Sequence, residues 1–417
     1  MSTLRELANR EAFERMAAAR TVLVDVLPAI DVVPGMTPDT VLTSGAPLPW
    51  AEYARGQRRA LVGGALFEGL AGTEEEATEG FASGRIRIGT CHDHDCVGSV
   101  AGIYTASMPV FVVENRAAGN RAFCNFYEGP SRFRLNYGVY NQEVRDALTH
   151  LNEVIAPTIR RALEVVGEID LSQIIRRALH MGDELHSRNT AATLLFIREL
   201  FPGLLHHYPS HHNDIDRTLA FIRESDYFFL RLSMASAKAT ANAARGVEGS
   251  SLLTSMMLDC AGFSIGVSGL DELYRGPHAV VEAKLFEGFT HDDIEWIGGE
   301  SCHNEVVGLG GFAQAAAFGL QAYQGGSAQA MVDLNRSMYE ITVGEHPEFG
   351  IPFFGFRGVP LGVDVFRVLE TGITPCIDGG LAGKDGGQIG AGIVRAPIEC
   401  FRGAADAYRR RYGEEAG

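Results

Sequence analysis

The amino-acid sequence predicts an α/β (α+β) protein with two α/β domains and a helical domain inserted between them. The chain has 417 residues, which is long enough for two or three domains. Its hydrophobic period changes after about residue 140, and 21 of its 49 glycines lie between Gly298 and Gly392. We therefore predict an N-terminal α/β domain over residues 1–140, a helical domain over 141–245, and a C-terminal glycine-rich α/β domain over 246–417.

The first domain alternates helical and extended patterns, and this alternation indicates α/β layers. Its clearest strand is MPVFVVEN, Met108 to Asn115. This continuous apolar run is typical of a strand that is buried on both faces.

In the helical domain, apolar side chains recur every three or four residues, as one helix face requires. Pro157 interrupts this pattern, so we expect a kink or two shorter helices there. Asp170 with Gln173 three places on predicts the start of another helix. A further helix is expected from about residue 214 to 246.

Composition and charge exclude several classes of partner. The chain has 36 basic and 52 acidic residues, a net charge of −16, which argues against nucleic acid or an anionic membrane as the main partner. Seven sparse cysteines and a charged N-terminus without an apolar signal core predict a cytoplasmic protein. Two uncharged runs, 96–113 and 306–332, reach membrane-span length, but their proline and glutamines favour buried elements of a large core.

The segment CHDHDC, residues 91–96, is the densest cluster of potential ligands. A metal site, a substrate contact and a structural turn at a strand end all fit this pattern. We place His92 among the catalytic candidates and His94 among the substrate-binding ones, because an imidazole can donate to an oxyanion or act as a general base.

A second cluster runs from His180 to Asn189. If this segment is helical, His180 shares a face with Asp183 and Glu184, and a carboxylate beside an imidazole suits proton abstraction. The alternative is a solvated helix end in which Asn189 caps the next helix. We also take His186 and Arg188 as candidate substrate ligands. The later segment HHYPSHH, 206–212, is predicted to be a loop with surface histidines.

Polar side chains follow the predicted strand MPVFVVEN. Open α/β sheets bind ligands beyond the carboxyl ends of their strands, so Glu114, Asn115, Asn120 and Arg121 are candidate substrate contacts. The guanidinium group of Arg121 has the fork geometry that matches a carboxylate or a phosphate.

A glycine-rich loop near the C-terminus contains one cation, Lys384. Its unhindered N–H groups could form an anion nest with Lys384 as the point charge; a plain flexible turn is the alternative. Gln388 and Arg395 follow, and an arginine in an apolar segment needs a partner or a ligand. We predict that residues 114–121 and 384–395 form facing walls of one cleft.

Several motifs resemble one known family in collinear order over roughly residues 20 to 402. They are LHMGDE (179–184) with Arg188 and Asn189, MPVFVVEN, GNRAFC (119–124), GLGGF (308–312) and GQIGAGIVRAPIECF (387–401). This set resembles the YlbE-like family, whose named member is the AllG-type subunit of oxamate carbamoyltransferase.

The resemblance implies a multi-domain α/β protein with an inserted helical domain. It also implies a reaction that interconverts oxalurate and phosphate with oxamate and carbamoyl phosphate, in purine and allantoin nitrogen catabolism. Partner subunits are expected, including a chain related to acyl-CoA synthetases, and a homo-oligomer stays open. No step of this chemistry requires a metal or an organic cofactor, so we expect neither.

Residue chemistry suggests roles within such a reaction. The anions need cations, the amide nitrogen needs a base, and the tetrahedral oxygen needs donors. Our candidates are Arg121, Lys384 and Arg395 for the anions, His180 with Asp183 or Glu184 for the base, and Asn115 and Asn120 for the donors. Three classes stay open: a carbamoyltransferase, a hydrolase of a ureido or amide compound that uses His92 or Cys302, and a non-catalytic subunit of a multi-chain complex.

Overall fold

The structure is a computed structural model, and it describes residues 3–225 and 227–413. Helices and strands are mixed throughout, which confirms the predicted α/β class. The helices are α1 Leu4–Ala17, α2 Ala29–Val32, α3 Arg55–Phe67, α4 Glu74–Ala82, α5 Gln142–His150, α6 Ala156–Val166, α7 Leu171–His180, α8 Thr190–Arg223, α9 Leu230–Asn242, α10 His303–Val306, α11 Gln321–Gln324, α12 Ala328–Met338, α13 Val365–Thr371 and α14 Ile398–Tyr412.

The strands form five small sheets. They are β1 Thr21–Pro28, β2 Thr40–Thr43, β3 Arg87–Thr90, β4 Pro109–Asn115, β5 Arg121–Asn125, β6 Ile169–Asp170, β7 Leu253–Asp259, β8 Gly262–Val267, β9 Leu273–Gly276, β10 Val280–Leu285, β11 Thr342–Ile351, β12 Arg357–Val363, β13 Cys376–Ala382 and β14 Gln388–Arg395. The sheet orders are β5-β4-β1-β6, β2-β3, β7-β8-β9, β10-β14-β13 and β11-β12.

The strand predicted from MPVFVVEN is confirmed as β4, with Val110 to Val113 at most 1% exposed. Its neighbours β1 and β5 both run antiparallel to it. Within residues 3–225 and 227–413, β2 and β3 are the one parallel pair of named strands. The chain after β4 therefore turns directly back into β5, and the rule for the carboxyl ends of parallel strands does not apply there.

The helical stretch follows the predicted pattern around Pro157 and Asp170. A π-helical turn over 151–155 separates α5 from α6, and Pro157 lies at the start of α6. The Asp170 side chain accepts a 2.8 Å hydrogen bond from the Gln173 backbone N–H, so the predicted helix start is confirmed.

Two predictions in this stretch are wrong. The segment HHYPSHH is not a loop, because α8 runs through it with a kink at His211. The helix expected over 214–246 is two helices, since α8 ends at Arg223 and α9 begins at Leu230. The division into three domains stays a prediction; β6, inside the helical stretch, pairs with β1 of the N-terminal sheet.

The two uncharged runs belong to the folded core. The first leads into β4, and the second passes through several short helices into α12. In the part of the chain that the structure describes, we find no helix with both the length and the apolar character to cross a membrane.

A close approach between α6 and α8 fixes the packing of the helical stretch. At Gly203 in α8, an added Cβ would lie 2.3 Å from the backbone oxygen of Ala162 and 2.8 Å from its Cα. Both atoms belong to the rigid backbone of α6, so neither can move aside without displacing that helix.

Substituting Gly203 tests this packing. Gly203→Ala should lower the free energy of unfolding by about 1–3 kcal/mol, because overpacking outweighs the better helix propensity of alanine. The matched control is Gly403→Ala in α14, where the nearest atom to an added Cβ is 3.8 Å away. The free energy of unfolding of that variant should rise by up to about 1 kcal/mol. Chemical denaturation measures both, and a Gly203→Ala protein as stable as Gly403→Ala would contradict this account.

Candidate functional site

A cavity of about 130 Å³, here called the central cleft, brings together segments that are distant in the sequence. Its walls carry two arginines, two glutamates (Glu128 and Glu295), one histidine, several tyrosines and many glycine backbones. The lining residues come from 99–100, 127–137, 186–187, 227–231, 294–302, 377–382 and the start and end of β14.

Two residues with a strained backbone lie at or next to this cleft. Val100 lines it with a φ of +56°, and Leu185, which precedes the lining residue His186, has a φ of +74°. Side-chain-bearing residues adopt this region at a cost of order 1–3 kcal/mol, and such residues gather at functional sites. Leu185 is fully buried, so its surroundings hold it in place.

Hydrogen bonds from the Glu184 side chain stabilise the strained turn. One carboxyl oxygen accepts from the His186 backbone N–H at 3.0 Å, and the other accepts from the Arg188 N–H at 2.5 Å. The Ser233 hydroxyl donates to the Leu185 carbonyl at 2.9 Å. These contacts fix the direction in which His186 leaves the turn.

His186 forms a buried pair with Glu305. Its Nδ1 lies 2.7 Å from Glu305 Oε1, and both side chains are at most 5% exposed. Burial disfavours the imidazolium, but the charge and hydrogen bond of Glu305, with Asp378 nearby, outweigh it and raise the pKa of His186. Nδ1 is engaged by the carboxylate, so Nε2 is the ring nitrogen left for chemistry in the cleft.

Three fully buried carboxyl groups interact around the His186–Glu305 pair: Glu184, Glu305 and Asp378. Burial and the neighbouring carboxylates raise the pKa of Glu184 and of Asp378, so these two groups tend to hold their protons. Glu305 Oε2 and Asp378 Oδ2 are buried without a hydrogen-bond partner. Within the described ranges, no group of three or more His, Cys, Asp or Glu residues has the geometry of a metal site.

Two arginines of the central cleft, Arg134 and Arg231, form no ion pair within residues 3–225 and 227–413, although the charge of each acts on the nearby carboxyl group of Glu128. Arg231 is 5% exposed, and its Nη1 donates to Asn125 Oδ1 at 3.1 Å while its Nε has no hydrogen-bond partner. The Arg134 guanidinium lies 4.8 Å from the ring centre of Tyr127. Guanidinium groups that form no ion pair in a partly dry cleft favour an anionic ligand.

Gln388 lines the cleft together with Tyr227. The Gln388 amide and the Tyr227 hydroxyl both donate to the hydroxyl of Tyr323, the latter at 2.8 Å. Burial raises the pKa of Tyr227, so its hydroxyl stays protonated. Of the predicted substrate contacts, Gln388 and His186 line the central cleft.

The predicted residues after β4 do not line it. Glu114 pairs with Arg121 at 3.1 Å on the exposed side of the sheet, and Asn115 and Asn120 stabilise the β4–β5 hairpin turn and its contact with α9. The prediction that this segment forms a cleft wall is therefore wrong. The physical reason is the antiparallel turn, which leads away from the cleft.

His180 is likewise separate from its predicted partners. α7 ends at His180 and the chain turns at Gly182, so the helix face that would join His180 to Asp183 and Glu184 does not form. The His180 ring instead packs against Phe356 at 5.1 Å.

Asp183 and its neighbours support the start of α8. Asp183 Oδ2 accepts from the Ala192 N–H at 2.8 Å, and its Oδ1 lies 3.5 Å from Arg188 Nε. Asn189 stands at the cap position, but its amide donates to the His186 carbonyl at 2.9 Å rather than capping the helix. The alternative interpretation, a solvated helix end capped by Asn189, is therefore also wrong, because Asp183 and Glu184 are fully buried and the side chain that accepts from the first turn of α8 is that of Asp183.

His92 and His94 also lie outside the cleft lining. His92 Nδ1 is 3.0 Å from the buried Lys238 ammonium, and burial together with that charge lowers the pKa of His92. His94 Nδ1 lies 2.6 Å from the Pro34 carbonyl. Cys91 and Cys96 are fully buried thiols.

The two cations predicted near the C-terminus, Lys384 and Arg395, do not line the central cleft. Lys384 is exposed, and its backbone N–H donates to the Asp293 carbonyl. Arg395 pairs with Glu282 at 3.1 Å across β10 and β14, which supplies the partner its apolar segment required.

Sequence reasoning missed four groups in or behind the cleft wall: Arg134, Arg231, Glu305 and Asp378. Two of them left a detectable signal, since Glu305 and Asp378 are carboxylates inside glycine-rich apolar segments, where burial demands a partner. The arginines gave none, because their lack of a carboxylate partner is visible only in the folded chain.

Comparisons with known proteins agree with this fold and identify the family. The family model described as oxamate carbamoyltransferase subunit AllG matches residues 86–301. The oxamate carbamoyltransferase subunit AllG of Escherichia coli K12 is 36% identical over 414 residues, covering 97% of this chain and 98% of that protein. The chain belongs to the AllG family.

Two further relatives have no assigned function in their names. The uncharacterized protein YahG of Escherichia coli K12 is 41% identical over 409 residues, covering 97% of this chain and 86% of YahG. A crystal structure of a conserved protein of unknown function from Enterococcus faecalis V583 superposes with a TM-score of 0.94 at 35% identity, covering 98% of this chain and 99% of that one. The AllG-like fold therefore extends over nearly the whole chain.

The buried carboxyl of Asp183 makes stability depend on pH. Burial raises its pKa from 3.8 to about 6, so between those values the folded state holds a proton that the unfolded state has released. The contribution of this group to stability therefore falls as pH rises from about 4 to 6, by at most about 1.4 kcal/mol per pH unit.

Asp183→Asn should remove this slope while keeping an oxygen for the start of α8. Denaturation at several pH values between about 4 and 6 measures it, with Asp39→Asn as the control. The Arg87 guanidinium holds the pKa of Asp39 at about 2, so that control should leave the slope in this window unchanged. Identical slopes in Asp183→Asn and wild type would contradict the assignment.

Proposed function

We propose that this chain is the subunit of a carbamoyltransferase that binds a small anionic ureido or carbamoyl compound in the central cleft. The observation that carries the proposal is the combination of Arg134 and Arg231, neither ion-paired within the described ranges, with the His186–Glu305 pair in one strained cleft. Membership in the AllG family supports the same reaction, oxalurate and phosphate to oxamate and carbamoyl phosphate. As a family subunit, the chain is proposed to act with partner chains.

The arginines neutralise the two anions of this reaction. A ureido acid carries a carboxylate and its co-substrate is phosphate, so the cleft must hold like charges side by side. Arg231 is nearly buried, and a charge-assisted hydrogen bond from a desolvated guanidinium is worth about 1.5–3 kcal/mol. Arg134 is held against Tyr127 and offers the second cation.

His186 supplies the proton. In the degradative direction, a phosphate oxygen forms a bond to the ureido carbonyl carbon, the bond from that carbon to the amide nitrogen breaks, and the leaving nitrogen needs a proton. A histidine whose pKa is raised by Glu305 donates it from Nε2, and the proton of the attacking phosphate restores the imidazolium. In the reverse direction, neutral His186 accepts the proton of the amide.

A hydrolase that uses Cys302 as nucleophile has less support. Cys302 lines the cleft, but its thiol donates to the Met256 carbonyl at 3.0 Å. Burial and the nearby carboxylates raise the pKa of this thiol, which opposes the reactive thiolate.

Removing the proposed anion ligands should weaken substrate binding. Arg134→Gln should raise the Kd of phosphate or of a ureido acid roughly 10- to 150-fold, since each 1.4 kcal/mol is a factor of about ten. Calorimetric titration measures it, with partner chains present if activity requires them, and Arg231→Gln should act in the same direction.

The matched control is Arg121→Gln, an arginine already paired with Glu114 outside the cleft lining. Lys384→Ala is a second control of the same kind. Wild-type affinity in Arg134→Gln and Arg231→Gln, or a loss confined to Arg121→Gln or Lys384→Ala, would refute the placement of the anions.

Removing the imidazole should affect the chemical step. His186→Gln should lower kcat about 10²–10⁴-fold with a small change in KM, because a lost general acid acts in the transition state. His92→Gln, a buried histidine outside the cleft lining, is the control. The pH dependence of kcat should lose the transition that is due to His186. A kcat close to that of the wild type would show that His186 takes no part in the reaction.

A further inference from the structure

The outer surface of α8 carries a stripe of exposed apolar side chains. Leu194 is 61% exposed, Phe201 54%, Leu205 59% and Tyr208 42%. With the exposed Arg198 between the first two, they follow one another in steps of four, three, four and three residues. We call these five residues the α8 seam.

This spacing is the a/d pattern of a helix pair. Residues that alternate three and four apart form a seam with a period of 3.5, which packs against a second helix rather than against a broad core. A monomer gains nothing from large apolar groups placed in water at this period, and such patches mark interaction sites. The opposite face of α8 is already packed, as Gly203 against Ala162 shows.

We propose that the α8 seam joins two copies of this chain as an antiparallel helix pair. Four of the five seam positions, 198, 201, 205 and 208, are separated by three, four and three residues. This spacing reads the same in both directions, with its centre between Phe201 and Leu205, and Leu194 lies beyond the symmetric set. A two-fold axis at that centre sets Phe201 opposite Leu205 of the partner subunit. It also sets Arg198 against Tyr208 of the partner subunit, a cation over an aromatic ring, so the same surface is complementary to itself.

Charge favours a second copy as the occupant. Each chain has a net charge of −16, so two copies repel wherever their carboxylates meet. Between Thr190 and His212 the sequence contains a single carboxylate, Glu199, which is half-buried. Depletion of charged residues with enrichment of aromatic ones and arginine is typical of an interface core.

The available area suits a stable dimer. The four apolar side chains expose roughly 400 Å² of surface, about half of the 800 Å² that each partner gives to a standard interface. Arg198 and the exposed Pro202 and Pro209 flank the apolar groups and add to this contact.

The oligomeric state of the full chain tests the proposal. By sedimentation velocity at about 1–100 μM, the wild type should have twice the 45.0 kDa mass of one chain. Phe201→Asp and Leu205→Asp should each shift it to the monomer, with circular dichroism confirming the fold. The matched control is Phe353→Asp, an equally exposed aromatic at 55% outside the seam, which should remain dimeric.

Cross-linking tests the antiparallel register. A mixture of Arg198→Cys and Tyr208→Cys should form a disulfide-linked dimer under mild oxidation, whereas Arg198→Cys alone should not, and wild type corrects for the native thiols.

A monomeric wild type, a dimer that survives both seam variants, or a dimer lost in Phe353→Asp would overturn the proposal. A disulfide between two Arg198→Cys chains would contradict the antiparallel register. If the seam variants lose a different bound protein chain and their self-association does not change, a second copy is not the occupant of the seam.

Discussion

One carboxylate, that of Glu305, joins three segments of the chain that are far apart in sequence. Its Oε1 accepts hydrogen bonds from His186 Nδ1 at 2.7 Å and from the backbone N–H groups of Gly311 and Asp378, each at 3.0 Å. A Cβ at Gly310 would lie 2.0 Å from this oxygen, so the loop around it requires glycine. This buried carboxylate holds the strained turn, the GLGGF segment and β13 together. It also raises the pKa of His186.

The cleft brings two arginines together inside a strongly acidic protein. The net charge of −16 belongs largely to the surface, whereas Arg231 and Arg134 lie where water is partly excluded and charges interact more strongly. Under the proposed function, a small anion gains affinity from these two neighbours although the molecule as a whole repels it. Glu128 also lines the cleft; burial raises the pKa of its carboxyl group, while the charges of Arg134 and Arg231 act in the opposite direction.

Local sequence patterns predicted the elements whose formation is itself local. The apolar run of β4 and the Asp170–Gln173 helix start are confirmed because burial and capping act within a few residues. The end of α7 at His180 was not foreseen, since it depends on the turn at Gly182, and the length of α8 depends on its packing against α6.

The site was partly predictable for the same reason. His186 and Gln388 were among the candidates because of their motifs, but the difference between a paired and an unpaired arginine arises only in the folded chain. Arg121 on β5 pairs with Glu114 on β4, and Arg395 on β14 pairs with Glu282 on β10. The two cleft arginines form no such ion pair within the described residues.

The burial of the cysteines makes the native thiols a probe of local opening. Six of the seven are buried, with Cys91, Cys96 and Cys124 near the N-terminal sheet and Cys302, Cys376 and Cys400 in the C-terminal part, while Cys260 is partly accessible. A thiol reagent reaches each buried group only when its surroundings open, so its labelling rate reports the free energy of that opening. Equal rates for the two sets would mean that the halves of the molecule open together, and unequal rates that one opens while the other stays closed.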